Sequence, residues 1–551
     1  MKLTGYLLAL AGIFAGSAAG QTPTVGGLLN NYSFTLPGLP NYGIAEGSIF
    51  DIFGTNLAAT TSSLQGPPLK TTLDGVSISV MVNGTTTSPL IYFVSPGQIA
   101  AILPSATPVG AGTITVTTSA GTSAAFPIQV AQSAFGLLTT NNGSGPLQGF
   151  DANNGGALLS FTAAANPGEI LELWGTGLGP VANDATGVAV SPTAQVFIGG
   201  VSASVLYAGR SSYQGLDQIN VKVPQGLSGC NISVVVQTGT YLSNFATVPV
   251  TASGSRTCSD PSNPLTTSIL SKITASGTFT IGIVGLIQDT EPGTTVDGMT
   301  FGGGTTDSGF ASFLKFTAAE FSSGAFASAS KTASIGSCSV YFYNATSTTT
   351  TAPPVFNFTY LNAGPSINVT GPDGALTMPL QVLDGFDIYS TPSTATSFIP
   401  ASGGTFTFNN GSGGPDVGAF SGQLDMTSPL VWTNMSSVST VTRSNGLTVN
   451  WTGGGSSSYV SIAGTSFGSV NGSSLDFVVG SFTCQAPTSA GSFTVPSSVL
   501  LSLPQSFTIA GVSTSTLSLG NVTGPVTFTA TGLDEGILEG TVQDTISVTY
   551  Q

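Results

Sequence analysis

Two stretches of this chain are written to one pattern, and that repetition constrains the fold more than any other feature. Glu46-Gly-Ser-Ile-Phe-Asp-Ile-Phe-Gly-Thr-Asn-Leu57 and Pro167-Gly-Glu-Ile-Leu-Glu-Leu-Trp-Gly-Thr-Gly-Leu178 match position for position. In each, a glycine (Gly47, Gly168) opens an apolar run, one acid (Asp51, Glu172) interrupts it, and Gly-Thr-x-Leu closes it. Later landmarks recur in the same order: Val82-Asn-Gly84 and Ile198-Gly-Gly200, Leu90-Ile-Tyr92 and Val205-Leu-Tyr207, Gln98-Ile-Ala-Ala-Ile-Leu-Pro104 and Gln218-Ile-Asn-Val-Lys-Val-Pro224. A period of about 120 residues indicates tandem domains, since short-repeat solenoids recur every ~20–50 residues.

At 551 residues the chain exceeds one hydrophobic core and divides into several domains of roughly 100–200 residues each. Only 6% of residues are charged while 40% are hydrophobic, which is the reverse of a disordered composition. Seventy-three glycines and 32 prolines punctuate short alternating runs, as turns punctuate strands. The expected fold is all-β: tandem immunoglobulin-like β-sandwiches plus one or two further antiparallel β-sandwich units. The expected boundaries are a first sandwich over 35–132 and a second over 133–252, then a linker over 253–266. A β-rich domain over 267–430 and a C-terminal sandwich-like domain over 431–551 follow. Residues 21–42 read as a polar lead, Thr317 to Lys331 as the one helix-tolerant piece, and Ser347 to Pro354 as a low-complexity link.

Residues 1–20 carry a basic start, an apolar run and a small-residue tail, so a secretory signal peptide is expected, cleaved before Gln21. No later run is apolar and long enough to span a bilayer, so no membrane span is expected after cleavage. Four cysteines in an exported chain suggest disulfides, Cys230 with Cys258 and Cys338 with Cys484, with buried thiols as the alternative. The net charge of −15 reflects a shortage of bases, nine Lys and Arg in all, which argues against nucleic acid as a partner.

The chain has no histidine, which excludes Ser-His-Asp and Cys-His catalysis and any His-ligated metal. Gly464-Thr-Ser-Phe-Gly468 matches the nucleophile-elbow pattern but has no base, and is expected to be a turn. Gly175-Thr-Gly-Leu-Gly179 lacks dinucleotide-loop spacing and reads as a tight turn. Asp51 and Glu172 are expected to face solvent from their strands; a turn acceptor or a calcium ligand is the alternative. Trp174, Trp432 and Trp451 with Tyr92, Tyr207 and Tyr213 are expected mainly as core packing, with Trp432 and Trp451 as the exposed exceptions available for ligand stacking. No catalytic, cofactor or metal residue is assigned.

At Gly168 to Leu178 with Gln218 to Pro224, and again in the earlier copy, residues 40 to 250 resemble the paired immunoglobulin-like domain of uncharacterised secreted acidobacterial proteins, the "Solibacter uncharacterised C-terminal domain". Cys230 and Arg256-Thr-Cys-Ser-Asp-Pro261 are similar to the same group, which supports the first disulfide. Asp307 to Phe313, Leu361 to Ile367, Gly414 to Ser421, Leu447 to Gly454 and Ser481 to Pro496 resemble a companion region of those proteins. The resemblance implies architecture and export, and no activity. The expected function is that of a non-catalytic secreted protein, not an enzyme, serving adhesion, envelope or matrix structure, or ligand binding. The alternative is a carbohydrate-binding or carbohydrate-degrading protein. Expected partners are extracellular polysaccharide or a cell-surface protein, with self-association through sheet edges as a third possibility.

Overall fold

A computed structural model describes the chain except residues 1–20, 64–65, 185–193, 253, 261–266, 297–298, 302, 319, 321–332, 345–358, 384–385, 392–397, 456–457, 471–475 and 510–511. The expected signal peptide, the 347–354 link and most of the helix-tolerant piece fall outside the described residues. The fold is all-β. Among the described residues no helix is long and apolar enough to cross a membrane.

The first module is two facing sheets. One runs Thr24–Asn30, Ile49–Thr55, Gln98–Ile102, Leu90–Val94, Ser62–Ser63; the other is built on Phe126–Ala131, Gly110–Thr118 and Val76–Val82. Alternation sends Phe50, Ile52, Ile78, Val80, Ile99 and Val116 into one core between them. The expected start at residue 35 is corrected: Thr24–Asn30 is an edge strand, and Leu28 is fully buried in that core. Gly26 and Gly27 hid it, because a bulge between Val25 and Gly27 breaks the alternation.

The second module repeats the plan, with Gly149–Asp151, Ile170–Thr176, Asp217–Lys222 and Val201–Arg210 side by side. Even a defect is duplicated. The register shifts between Ile91 and Phe93 in the first copy and between Val205 and Tyr207 in the second. Each bulge lies beside the matched Gln98 or Gln218 strand, so the structural counterpart of Tyr207 is Phe93, one residue on from the Tyr92 that sequence matching selects.

In the C-terminal half one continuous sheet of thirteen strands, among the described residues, crosses the expected boundary at 430. Thr278–Glu291 pairs along its length with Gly304–Thr317 on one side and, in parallel, with Glu535–Ser547 on the other. A strand near the start of this half is therefore locked beside one near its end, so 267–430 and 431–551 are not separate sheets. Glycines make such long strands packable. Gly282 faces Phe313, Gly285 faces Phe310, Gly464 faces Phe482 and Gly536 faces Phe528 across the ladders. A Cβ on any of the four would come within 2.4–2.7 Å of the opposing ring. The ring lies over the bare backbone and covers it. The linker is also pinned, Arg256 pairing with Asp151 and Glu169 of the second module, and the segment expected to be β-rich from residue 267 opens instead on a helix, Thr267–Ser276.

Both disulfides form as paired in the sequence reading, and no described cysteine is free. Cys338 and Cys484 stand directly opposite each other on neighbouring strands. Cys230–Cys258 closes 28 residues and Cys338–Cys484 closes 146. Chain entropy assigns the longer loop about 5 kcal/mol and the shorter about 3.5 kcal/mol. Replacing Cys338 and Cys484 by serine is therefore expected to lower the urea midpoint of the C-terminal unit by more than the Cys230/Cys258 pair lowers that of the second module, read by fluorescence.

Candidate functional site

The two tryptophans expected at the surface are in the core. Trp432 and Trp451 lie opposite each other on adjacent strands, 6% and 2% exposed, within one apolar cluster. Their indole N–H groups are satisfied internally, Trp432 donating to Asn434 Oδ1 at 3.1 Å and Trp451 to the Thr488 carbonyl at 2.8 Å. Neither can stack on a ligand, and that assignment is corrected. Gly464 to Gly468 is also not a turn; it lies inside the Ser458–Ser469 strand, where Gly464 clears Phe482 and Gly468 clears Pro504.

The duplicated motif has a different fate in each copy. In the first it is covered. Asp51, expected at the surface, is fully buried; Asn31 Nδ2 donates to its Oδ2 at 2.8 Å, and its Oδ1 has no hydrogen-bond partner. Burial pushes the Asp51 carboxyl up to about 6, against the pull of the Gln98 and Asn31 amides. Tyr32, near both Asp51 and Asp217 of the second module, is pushed up to about 12 by burial and by those two acids.

The cover is the joint between the modules, built from the Gly-Thr-x-Leu end of the second copy. The Thr176 hydroxyl donates to the Gly215 carbonyl at 2.6 Å and accepts the Ile49 amide of the first module at 2.8 Å. Asn30 Nδ2 donates to the Thr176 and Ala134 carbonyls. Asp217 accepts from the Gly177 and Leu178 amides and from Arg210 Nε, all within 2.8 Å. Gly215 has φ +74, and a Cβ there would lie 2.6 Å from Ile49. Gly177, at φ +103, is the turn glycine expected from sequence, and Asn56 adopts the same left-handed region, φ 55, in the first copy.

In the second copy the corresponding sheet face is partly exposed. Leu171 and Leu173 point into the core, so Glu172 and Trp174 point outward, both partly exposed. Directly paired residues share a face. The register therefore sets Leu158, Phe150, Glu172, Asn220 and Tyr207 in one row across five strands. At ~4.8 Å per strand the row spans about 19 Å. Trp174 and Gln218 lie opposite each other in the next row. Gln218 Nε2 donates to Asn220 Oδ1 at 2.8 Å and the Tyr207 hydroxyl donates to the Arg210 carbonyl at 2.8 Å, which orient the amide and the ring. Leu158, Leu206 and Tyr213, 53%, 56% and 63% exposed, add apolar surface to this module.

No protein-family model matches the chain, and no curated protein matches it in sequence. Among solved structures it is similar to a mixed-linkage glucan utilization locus SGBP-B of Bacteroides ovatus in complex with a mixed-linkage heptasaccharide. That match has 13% identity over 50% of this chain and 68% of that one, with a TM-score of 0.21. It is also similar to the SGBP-B of a complex xyloglucan utilization locus in Bacteroides uniformis, at 14% identity over 68% and 87%, TM-score 0.15. Tandem immunoglobulin domains of titin match at 13% identity over 38% and 91%, TM-score 0.12.

Chemically the partly exposed face offers rings beside amide and carboxylate groups. In the first copy the equivalent row is Leu29, Asp51, Ala100 and Phe93, of which the first three are buried and only Phe93 is partly exposed. Sequence reading named Trp174 and Tyr207 but assigned them to core packing, and it missed Phe150, Gln218 and Asn220 as a surface. The signal was the alternation Ile170-Leu-Glu-Leu-Trp174, which puts glutamate and tryptophan on one side.

Asp51 titrates against the fold. Its folded value, about 6, lies above its ordinary 3.8, so its contribution to stability is present below about 4 and lost as pH rises through about 6. Asp51→Asn is expected to stabilise the first module at pH 7.5 by on the order of 2 kcal/mol. The gain should shrink toward zero near pH 4, as urea midpoints at the two pH values will show.

Proposed function

We propose that the protein is an exported, non-catalytic glycan-binding protein that holds a polysaccharide against the partly exposed sheet face of its second module. The observation that carries this reading is the row Phe150, Glu172, Asn220, Tyr207 with Trp174 and Gln218 beside it. Rings present flat apolar area to the C–H face of a pyranose, while amides and a carboxylate serve its hydroxyls. The row is long enough for several sugar units in line.

The same register argues against hydrolysis. Glycosidases of the usual kind need two carboxyl groups about 5–10 Å apart flanking one bond. Glu172 is flanked by Phe150 and Asn220, and the next outward position on its strand, Ile170, is paired with Lys222. Two disulfides support an oxidising compartment, in keeping with export. In this reading the chain belongs with the secreted paired immunoglobulin-like proteins that its sequence resembles, and attachment to extracellular polysaccharide is its contribution to adhesion or matrix.

A panel of neutral polysaccharides, scored by affinity electrophoresis and then calorimetry, tests the proposal. Trp174→Ala and Tyr207→Ala are each expected to weaken the best ligand by about 10–100-fold, the loss of about 2 kcal/mol typical of an aromatic hot spot. Trp432→Phe should leave affinity unchanged. Binding that survives both face substitutions, or product release that Glu172→Gln abolishes, would overturn the reading.

A further inference from the structure

A second candidate site, which shares no residue with that face, lies where the first module meets the C-terminal unit. Gly38 and Pro40 on one side, and Arg443, Gly468, Ser469 and Pro504 to Phe507 on the other, enclose an open cleft of about 440 Å³. Arg443 is 9% exposed. Its Nη1 donates to the Leu503 carbonyl, and its Nε is buried without an acceptor.

The other arginines with ion pairs show what is missing here. Arg210 is held by Asp217, and Arg256 by Asp151 and Glu169; no ion pair includes Arg443 among the described residues. A guanidinium stays charged, and a buried charge left unpaired is costly, so a buried arginine normally has an anion beside it. With 24 acids in the chain against nine bases, a partner was available in composition. With Nη1 engaged and Nε sealed beneath the surface, Nη2 is the donor left to meet an anion in the cleft, and a carboxylate oxygen can accept from it end-on.

The rest of the lining points to a ring-shaped carrier of that carboxylate. Phe507 is half-buried on the cleft and packs on Phe477 with ring centroids 5.3 Å apart. Exposed Gln505 supplies a polar neighbour, while the Ser506 hydroxyl is held by Ser515 and the Tyr550 amide. We propose that this cleft is an anion site that takes the carboxylate of a uronic acid residue in an acidic glycan. The guanidinium and the cleft require only a carboxylate; the choice of a sugar to carry it rests on the glycan-binding reading above. The chain's own charge of −15 repels such a polymer at long range, so the attraction must act locally, within the ~8 Å over which charges are felt at physiological salt.

The test uses the full chain, with tetragalacturonate and its methyl ester as probes, by calorimetry at low and physiological salt. Tetragalacturonate should bind at least 10-fold more tightly than the ester, and Arg443→Gln should remove that difference while Trp174→Ala leaves it. The ester comparison stands without any variant, so it decides the matter even if Arg443→Gln does not fold. Equal affinity for acid and ester, or acid binding unaffected by Arg443→Gln, would overturn the proposal. Neutral glycans bound through Trp174 with no preference for uronate would sink this inference alone. Arg443-dependent uronate binding with neutral glycans ignored would sustain it and remove the role proposed for the sheet face.

Discussion

The Thr176 hydroxyl is where two copies of one repeat become a single body. It donates to Gly215 within its own module and accepts the Ile49 amide from the other, so one oxygen closes the turn and docks the neighbour. Buried bonds of this kind leave no alternative partner in water, and removing one side orphans the other. Around it Asn30 and Asp217 satisfy backbone groups of the joint, and Arg210 pairs with the Asp217 carboxylate. Asp51 of the first copy is fully buried, while Glu172 of the second stays partly exposed. Two equivalent strands thus occupy different environments.

Cohesion elsewhere comes from apolar packing more than from charge. Only four ion pairs are formed among the described residues, and the two at Arg256 serve to pin the linker. The C-terminal sheet depends instead on rings laid over cross-strand glycines, an arrangement in which a missing side chain is the structural feature. The second module shares the neighbouring core: Val235, Leu242 and Phe245 belong to the same cluster as Trp432, Trp451 and the Cys338–Cys484 disulfide. Asn231 and Ser233 donate backbone hydrogen bonds to Ser334 and Ser337 across that boundary. A glycan held on the face would thus be tied to a continuous packed structure.

The candidate face was half legible in the sequence. The repeat located its strands, and alternation would have told Trp174 from Leu173. What the sequence lacks is any mark that distinguishes an outward ring over a ligand from one under another sheet. Trp432 and Trp451 looked like surface residues because polar turns flank them, yet they face each other in a core; Trp174 looked like core and is half-buried on an outer sheet face. The bulge at Leu206 had a similar effect, moving the match of Tyr207 from Tyr92 to Phe93. Arg443 drew no notice at all, since a lone arginine in a polar stretch carries no pattern.

By itself the sequence determined the all-β class, the tandem duplication, the turn glycines and the exclusion of histidine chemistry, because periodicity, composition and backbone sterics are local properties. Tertiary structure alone decided that residues 278–291 and 535–547 lie side by side, that Asp51 is buried while Glu172 is partly exposed, and that Arg443 lines a cleft with no ion pair among the described residues. Those facts depend on which surfaces meet across hundreds of residues. Long-range contact is set by the packing free energy of whole sheets, and no short stretch encodes it.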